Sequence, residues 1–244
     1  MQLYQLLKRG AYHPEFCEDF SLAEPLGSRL VLAVMDGCTM GRESHFASAL
    51  VAKVLRKVIK EYPYRRHHNS LPPTPTLADE LRELLAAVFA DLDQLKNQLL
   101  LETNELLTTL VIALLDPTTG AVEILVLGDA TVALNGQLTR FEQNNRPDYL
   151  AYHLARPFAD WYGQQTQRLS ASDCRDLSLA TDGIDSFEPA TPTAPDDLPN
   201  IPALLLLDTQ LAERPEMLNI KVRRLETSFS LLPTDDVAII RVIR

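Results

Sequence analysis

An α+β fold of two stacked, mostly antiparallel sheets flanked by helices is what the order of hydrophobic periods predicts. Three observations carry this expectation. Short apolar runs bounded by turn residues open and close the chain, two stretches of helical period follow one another at 43–61 and 77–101, and short runs resume from Leu106. Strands and helices that come in blocks, rather than alternating, argue for segregated helices over parallel βαβ units.

The elements follow in order. Gln2 to Lys8 and Cys17 to Leu22 read as the first strands, with Gly10, His13 and Pro14 in the turn between them. Leu30 to Met35 is a continuous apolar run, read as a buried strand that ends on Asp36-Gly37. Between Glu43 and Glu61, Phe46, Leu50, Val51, Val54, Leu55, Val58 and Ile59 mark one helical stripe. Tyr62 to Thr76 holds four prolines and reads as a loop, its Arg65, Arg66, His67 and His68 a solvated connector. Leu77 to Leu101 resumes the helical period.

Strands are then expected at Leu106–Leu115, Ala121–Leu127, Thr131–Leu134 and Gln137–Arg140, the last two joined by an Asn135-Gly136 hairpin turn. Arg146 to Gly163 has no period and carries the only tryptophan, which suggests an ordered flap over a site. Asp176–Thr181 is a strand, Glu188–Pro202 a loop, Ala203–Glu226 helical with a break near Pro215, and Asp236–Ile243 a closing buried strand. No repeat or linker divides 1–244, so a single domain is expected.

Composition narrows the function. A net charge of −10, from 23 basic and 33 acidic residues, argues against a nucleic-acid surface and suits a site that recruits cations. Cys17, Cys38 and Cys174 form no CxxC pair, which speaks against a disulfide framework and structural zinc. No apolar run reaches the ~18 residues of a membrane span and the first residues do not resemble a leader, so a cytoplasmic protein without membrane contact is expected.

Acids recur at the ends of apolar runs: Glu18-Asp19, Asp36, Asp129, Asp182 and Asp235-Asp236. If neighbouring strands bring Asp36, Asp182 and Asp235 together, with Asp19 and Glu18 behind them, the cluster offers hard oxygen ligands for magnesium or manganese. Two such ions could acidify a water for in-line attack on phosphorus.

These motifs, AVMDG at Asp36-Gly37, Thr108-Thr109, LGDA at Gly128-Asp129, LATDG at Asp182-Gly183 and TDDVAII at Asp235-Asp236, resemble in kind and order those of the metal-dependent Ser/Thr protein phosphatases of type 2C. The resemblance implies a four-layer αββα sandwich and a phosphomonoesterase acting on phosphorylated proteins. It implies that Asp36 bridges two metal ions, that Gly37 contributes its carbonyl, and that Asp182 and Asp235 hold one ion. Glu18 and Asp19 would orient bound waters, and Asp129 would help hold a third ion. His13 falls where the family has a phosphate-gripping arginine, with Arg9 the nearest guanidinium. Cys38 stands where some members have a histidine, and Thr109 belongs to the paired threonines. Leu107 and Ser186 replace a glycine and an acid of the pattern. A regulatory or binding module that keeps its ions but turns over weakly or not at all is the alternative.

Overall fold

The computed structural model describes every residue except 69–74, 144–146 and 191–197. Its elements are β1 (Gln2–Lys8), β2 (Phe20–Leu26), β3 (Arg29–Met35), α1 (Ser44–His68), α2 (Leu77–Gln98), β4 (Leu110–Leu115), β5 (Val122–Leu127), β6 (Ala130–Leu134) and β7 (Gln137–Phe141). They continue with α3 (Phe158–Gln164), β8 (Arg168–Ala171), β9 (Asp176–Thr181), β10 (Phe187–Pro189), α4 (Ile201–Leu206), α5 (Met217–Ser228), β11 (Leu231–Pro233) and β12 (Val237–Ile243). Two five-stranded sheets run in the orders β1-β12-β9-β6-β7 and β2-β3-β4-β5-β8, and every described pairing is antiparallel.

Side-chain alternation divides the apolar runs between two cores. In β3, Leu32 and Val34 point into the space between the sheets, while Val31, Ala33 and Met35 face α1 and α2. In β12, Ala238, Ile240 and Val242 join the same inter-sheet core, while Val237 and Ile239 face α4 and α5. The central strands of each sheet are thus apolar on both faces, which is why they read as unbroken runs, and the layers stack as αββα in agreement with the expected fold. No helix among the described residues is long and apolar enough to cross a membrane.

Several expectations shift. Helix α1 does not stop at Glu61 but continues through Pro63 to His68. Arg65 pairs with Glu61 and with Asp91 of α2, and Arg66 with Glu83, so these cations brace the helix pair rather than float in a connector. Strand β2 starts at Phe20, leaving Cys17, Glu18 and Asp19 in the segment before it. Strands β8, β10 and β11 depart from the expected elements; each is short, β8 lies at a sheet edge, and β10, which pairs with β11, reaches into the expected loop Glu188–Pro202. The described part of the expected flap folds into a 3-10 turn, Leu150–His153, and α3, with Trp161 only 2% exposed and packed on Phe89 of α2. Asn135 and Gly136 both have positive φ, 51° and 87°, as the tight hairpin turn requires.

Candidate active site

Strand β3 ends by handing its backbone to the loop before β4. Thr109 donates its N–H to the Asp36 carbonyl at 2.9 Å, the Thr108 hydroxyl donates to the same oxygen at 2.8 Å, and Asp36 donates its own N–H to Thr109 Oγ1 at 3.1 Å. Gly37 donates to the Glu18 carbonyl and Cys38 to that of Leu107. The main chain of Asp36 is fully engaged, and its carboxylate projects from a rigid mount. A Cβ on Gly37 would lie 2.4 Å from the Ser44 carbonyl oxygen, so the close approach of α1 requires glycine there.

Around this mount the acids influence one another. Asp19 is 2% exposed and accepts the Thr181 hydroxyl at 2.6 Å. Burial pushes the Asp36 carboxyl well above the usual range, and the charges of Asp19, Asp182 and Asp235 push it further. Asp19 rises for the same first reason, then through Asp236 and Asp182. Asp182 opens the 3-10 turn Asp182–Asp185, which follows β9; burial, Asp235 and Asp129 raise it to about 6. More than a third of Asp182 is accessible, although protein surrounds it on most sides, so water screens part of that effect. Burial first, then Asp236 and Glu18, raise Asp235, and the charge of His13 works against them.

Asp36, Asp182 and Asp235, expected to form a cage, lie near enough to feel one another's charge, and among the described residues no three His, Cys, Asp or Glu side chains stand as a ready ligand set for an ion. The donors themselves fit a hard dication, since they are carboxylate oxygens whose raised pKa values a cation would relieve.

The residue that organises the cleft was not singled out from sequence. Asp236 is 1% exposed; it accepts the Gly10 N–H at 2.7 Å and the Glu18 N–H at 2.5 Å. His13 Nδ1 stands 2.8 Å from Asp236 Oδ2, close but not aligned as a good hydrogen bond, and His13 Nε2 lies 3.7 Å from Asp235. Burial would lower the imidazole pKa, but Asp236, Glu18 and Asp235 together raise it. Glu18 in turn accepts the hydroxyls of Ser44 and Thr39. The doublet Asp235-Asp236 before a buried strand was the available signal: with a side-chain period of two, neighbours face opposite ways and one acid must turn inward.

The other named residues fall as follows. Arg9 donates to the carbonyls of Pro14 and Glu15 at 2.7 and 3.2 Å and so fastens its own loop. Thr109 is 2% exposed and holds the Asp36 backbone. Cys38 is 8% exposed beside the Tyr149 phenol, whose pKa rises through burial and then through that thiol. Asp129 accepts the Gln143 N–H at 2.7 Å. With Asp182, Asp185 and Glu142 it lines a hollow of about 390 Å³. A second hollow of about 440 Å³ opens between His13, Glu18, Thr39 and Ser44.

With this geometry in hand, comparison with known proteins is informative. The family model described as Protein phosphatase 2C matches residues 9–205. No curated protein sequence matches the chain. Among solved structures, a bacterial serine phosphatase variant superposes with a TM-score of 0.64 at 15% identity, over 100% of this chain and 98% of that one. RsbX in complex with magnesium gives 0.55 at 16%, over 98% and 92%. The phosphatase domain with a regulatory fragment of SpoIIE from Bacillus subtilis gives 0.57 at 13%; 99% of this chain spans 63% of that one. Likenesses at such identity are likenesses of fold.

Proposed function

The chain belongs to the protein phosphatase 2C family, and from that premise we propose that it is a metal-dependent phosphomonoesterase that removes phosphate from phosphoserine or phosphothreonine in proteins. The observation that carries this reading is the Asp36 carboxylate, fixed by its backbone at a strand end and raised in pKa by Asp19, Asp182 and Asp235. Asp36, the Gly37 carbonyl, Asp182 and Asp235 would hold two ions of magnesium or manganese, and Asp129 with Asp182 a third. When bound, such ions neutralise phosphoryl charge and acidify a water for in-line attack.

The chain's own residues do the rest. Glu18, steadied by Thr39 and Ser44, and Asp19, steadied by Thr181, position the attacking water. His13, whose pKa Asp236, Glu18 and Asp235 raise against the effect of burial, would in its protonated form supply the positive charge that steadies the phosphate. The water oxygen bonds to phosphorus as the bond from phosphorus to the serine or threonine oxygen breaks; that oxygen takes up the proton the water gives up, which leaves a free hydroxyl and inorganic phosphate.

A second reading, a phosphatase-fold module that binds ions without turnover, draws on one observation: His13, proposed above to steady the phosphate, stands with Nδ1 only 2.8 Å from the Asp236 carboxylate. A manganese titration followed both by calorimetry and by hydrolysis of p-nitrophenyl phosphate and a phosphoserine peptide separates the two. We expect binding heat and metal-stimulated release, both lost in Asp36→Ala and Asp182→Ala. Heat without release transfers the case to the second reading, and neither heat nor release sinks both.

A further inference from the structure

On the face of the α4–α5 layer that turns away from the sheets, a groove of about 310 Å³ runs between the two helices. Its floor is apolar: Leu204 of α4, Leu211 of the connecting loop and Ile220 of α5, which is 40% exposed. Leu211 has φ of 68°, a left-handed conformation that a leucine rarely adopts, at the point where it lines the groove. Ile220, Arg223, Arg224 and Thr227 follow one another at helical spacing along α5 and form one wall.

The charge balance of the groove is unusual for this chain. Lys221 is 3% exposed, donates to the carbonyls of Leu204 and Asp208, and stands 3.6 Å from the Asp208 carboxylate, so these two charges offset each other. Arg223 and Arg224 are exposed, and among the described residues neither has an acidic partner. On a protein of net charge −10, two uncompensated guanidiniums thus flank an apolar floor. Arginines beside apolar anchors are the composition of a protein-binding hot spot, and the guanidinium fork is built to take carboxylates.

We propose that this groove docks an acidic amphipathic segment of a partner protein, with apolar side chains on Leu204, Leu211 and Ile220 and carboxylates on Arg223 and Arg224. Charge complementarity selects the acidic partner. The other cationic ridge, Lys53, Arg56, Lys57 and Lys60 on α1, differs on both counts: Arg56 and Lys57 are already paired with Glu24, Glu61 and Asp91, and no apolar residue lines it. A lipid surface suits the groove poorly, because membrane attraction needs a longer run of basic residues than two. The docking role is independent of turnover in the carboxylate cleft.

The test uses the full chain and a short fluorescent peptide with leucines on one face and glutamates on the other, alongside a twin carrying lysine for every glutamate. Anisotropy should show salt-sensitive binding of the acidic peptide and none of the twin. In Arg223→Glu/Arg224→Glu the affinity should fall by about tenfold or more. Ile220→Ser should weaken binding without changing its salt dependence. An unchanged thermal midpoint certifies that each variant is folded, and Arg223→Gln/Arg224→Gln replaces the charge reversal if it is not. Equal binding of both peptides, no binding, or full affinity in the folded arginine variants overturns the proposal. So does binding to phosphatidylserine vesicles that the acidic peptide fails to displace.

Discussion

The Asp236 carboxylate receives the backbone N–H of Glu18 at 2.5 Å, across 218 residues of sequence. Its other oxygen takes the N–H of Gly10. One buried side chain thereby joins the segment before β2, the turn after β1 and the start of β12.

Asp236→Asn tests that junction. An amide keeps one acceptor oxygen but sets an NH₂ donor against one of the two N–H groups, stranding a buried donor at a cost of about 1–3 kcal/mol. Chemical denaturation should show a loss of that order, and calorimetry should show weaker manganese binding because Glu18 is no longer held. A variant as stable as wild type would remove Asp236 from this role.

Acidity supplies a second prediction. Asp182 moves from its usual value near 4 up to about 6. Asp36 and Asp19 shift the same way. The folded state therefore holds protons that the unfolded state has released, so metal-free stability should fall as pH rises from about 4 through about 6. Manganese should raise the melting temperature more at pH 7 than at pH 5, since at pH 5 it competes with bound protons. Asp182→Asn should flatten the metal-free slope; an unaltered slope would mean that the cleft acids do not couple as described.

Glycine positions give a third. A Cβ on Gly183 would lie 1.8 Å from the Asp236 carbonyl oxygen, so Gly183→Ala must push β12 away from the turn that carries Asp182. The expected cost is about 2–3 kcal/mol, with loss of the manganese response. Gly136, at φ 87° in open space, is the control: Gly136→Ala should cost only about 1 kcal/mol and leave metal binding alone. Gly183, unlike Gly136, has no positive φ, so similar losses at both sites would mean that crowding does not govern Gly183.

Much of the architecture could be read in advance, and the exceptions are physical. β1 and β9 occupy the residues expected of them because each run is bracketed by breakers or charges. Helix α1 outran its expected end because Pro63 was read as a stop, whereas the cross-helix pairs of Arg65 with Asp91 and Arg66 with Glu83 favour continuation, and no local pattern reports such pairs. Trp161 suggested a flap, yet its contact with Phe89 is tertiary. In the cleft, the acids at strand ends were visible as motifs. Thr181 on Asp19 and Ser44 on Glu18 were not, because a hydroxyl announces its partner only once the chain is folded.

Among the described residues β1 is bonded on one side only, to β12, and nearly the whole described chain lies between them. During synthesis β1 must therefore wait, unzipped, until β12 has been made. Leu3 and Leu7 stay 39% and 48% exposed even after it docks, which makes this margin the place where a half-made chain is most open to capture by a chaperone or by another copy of itself.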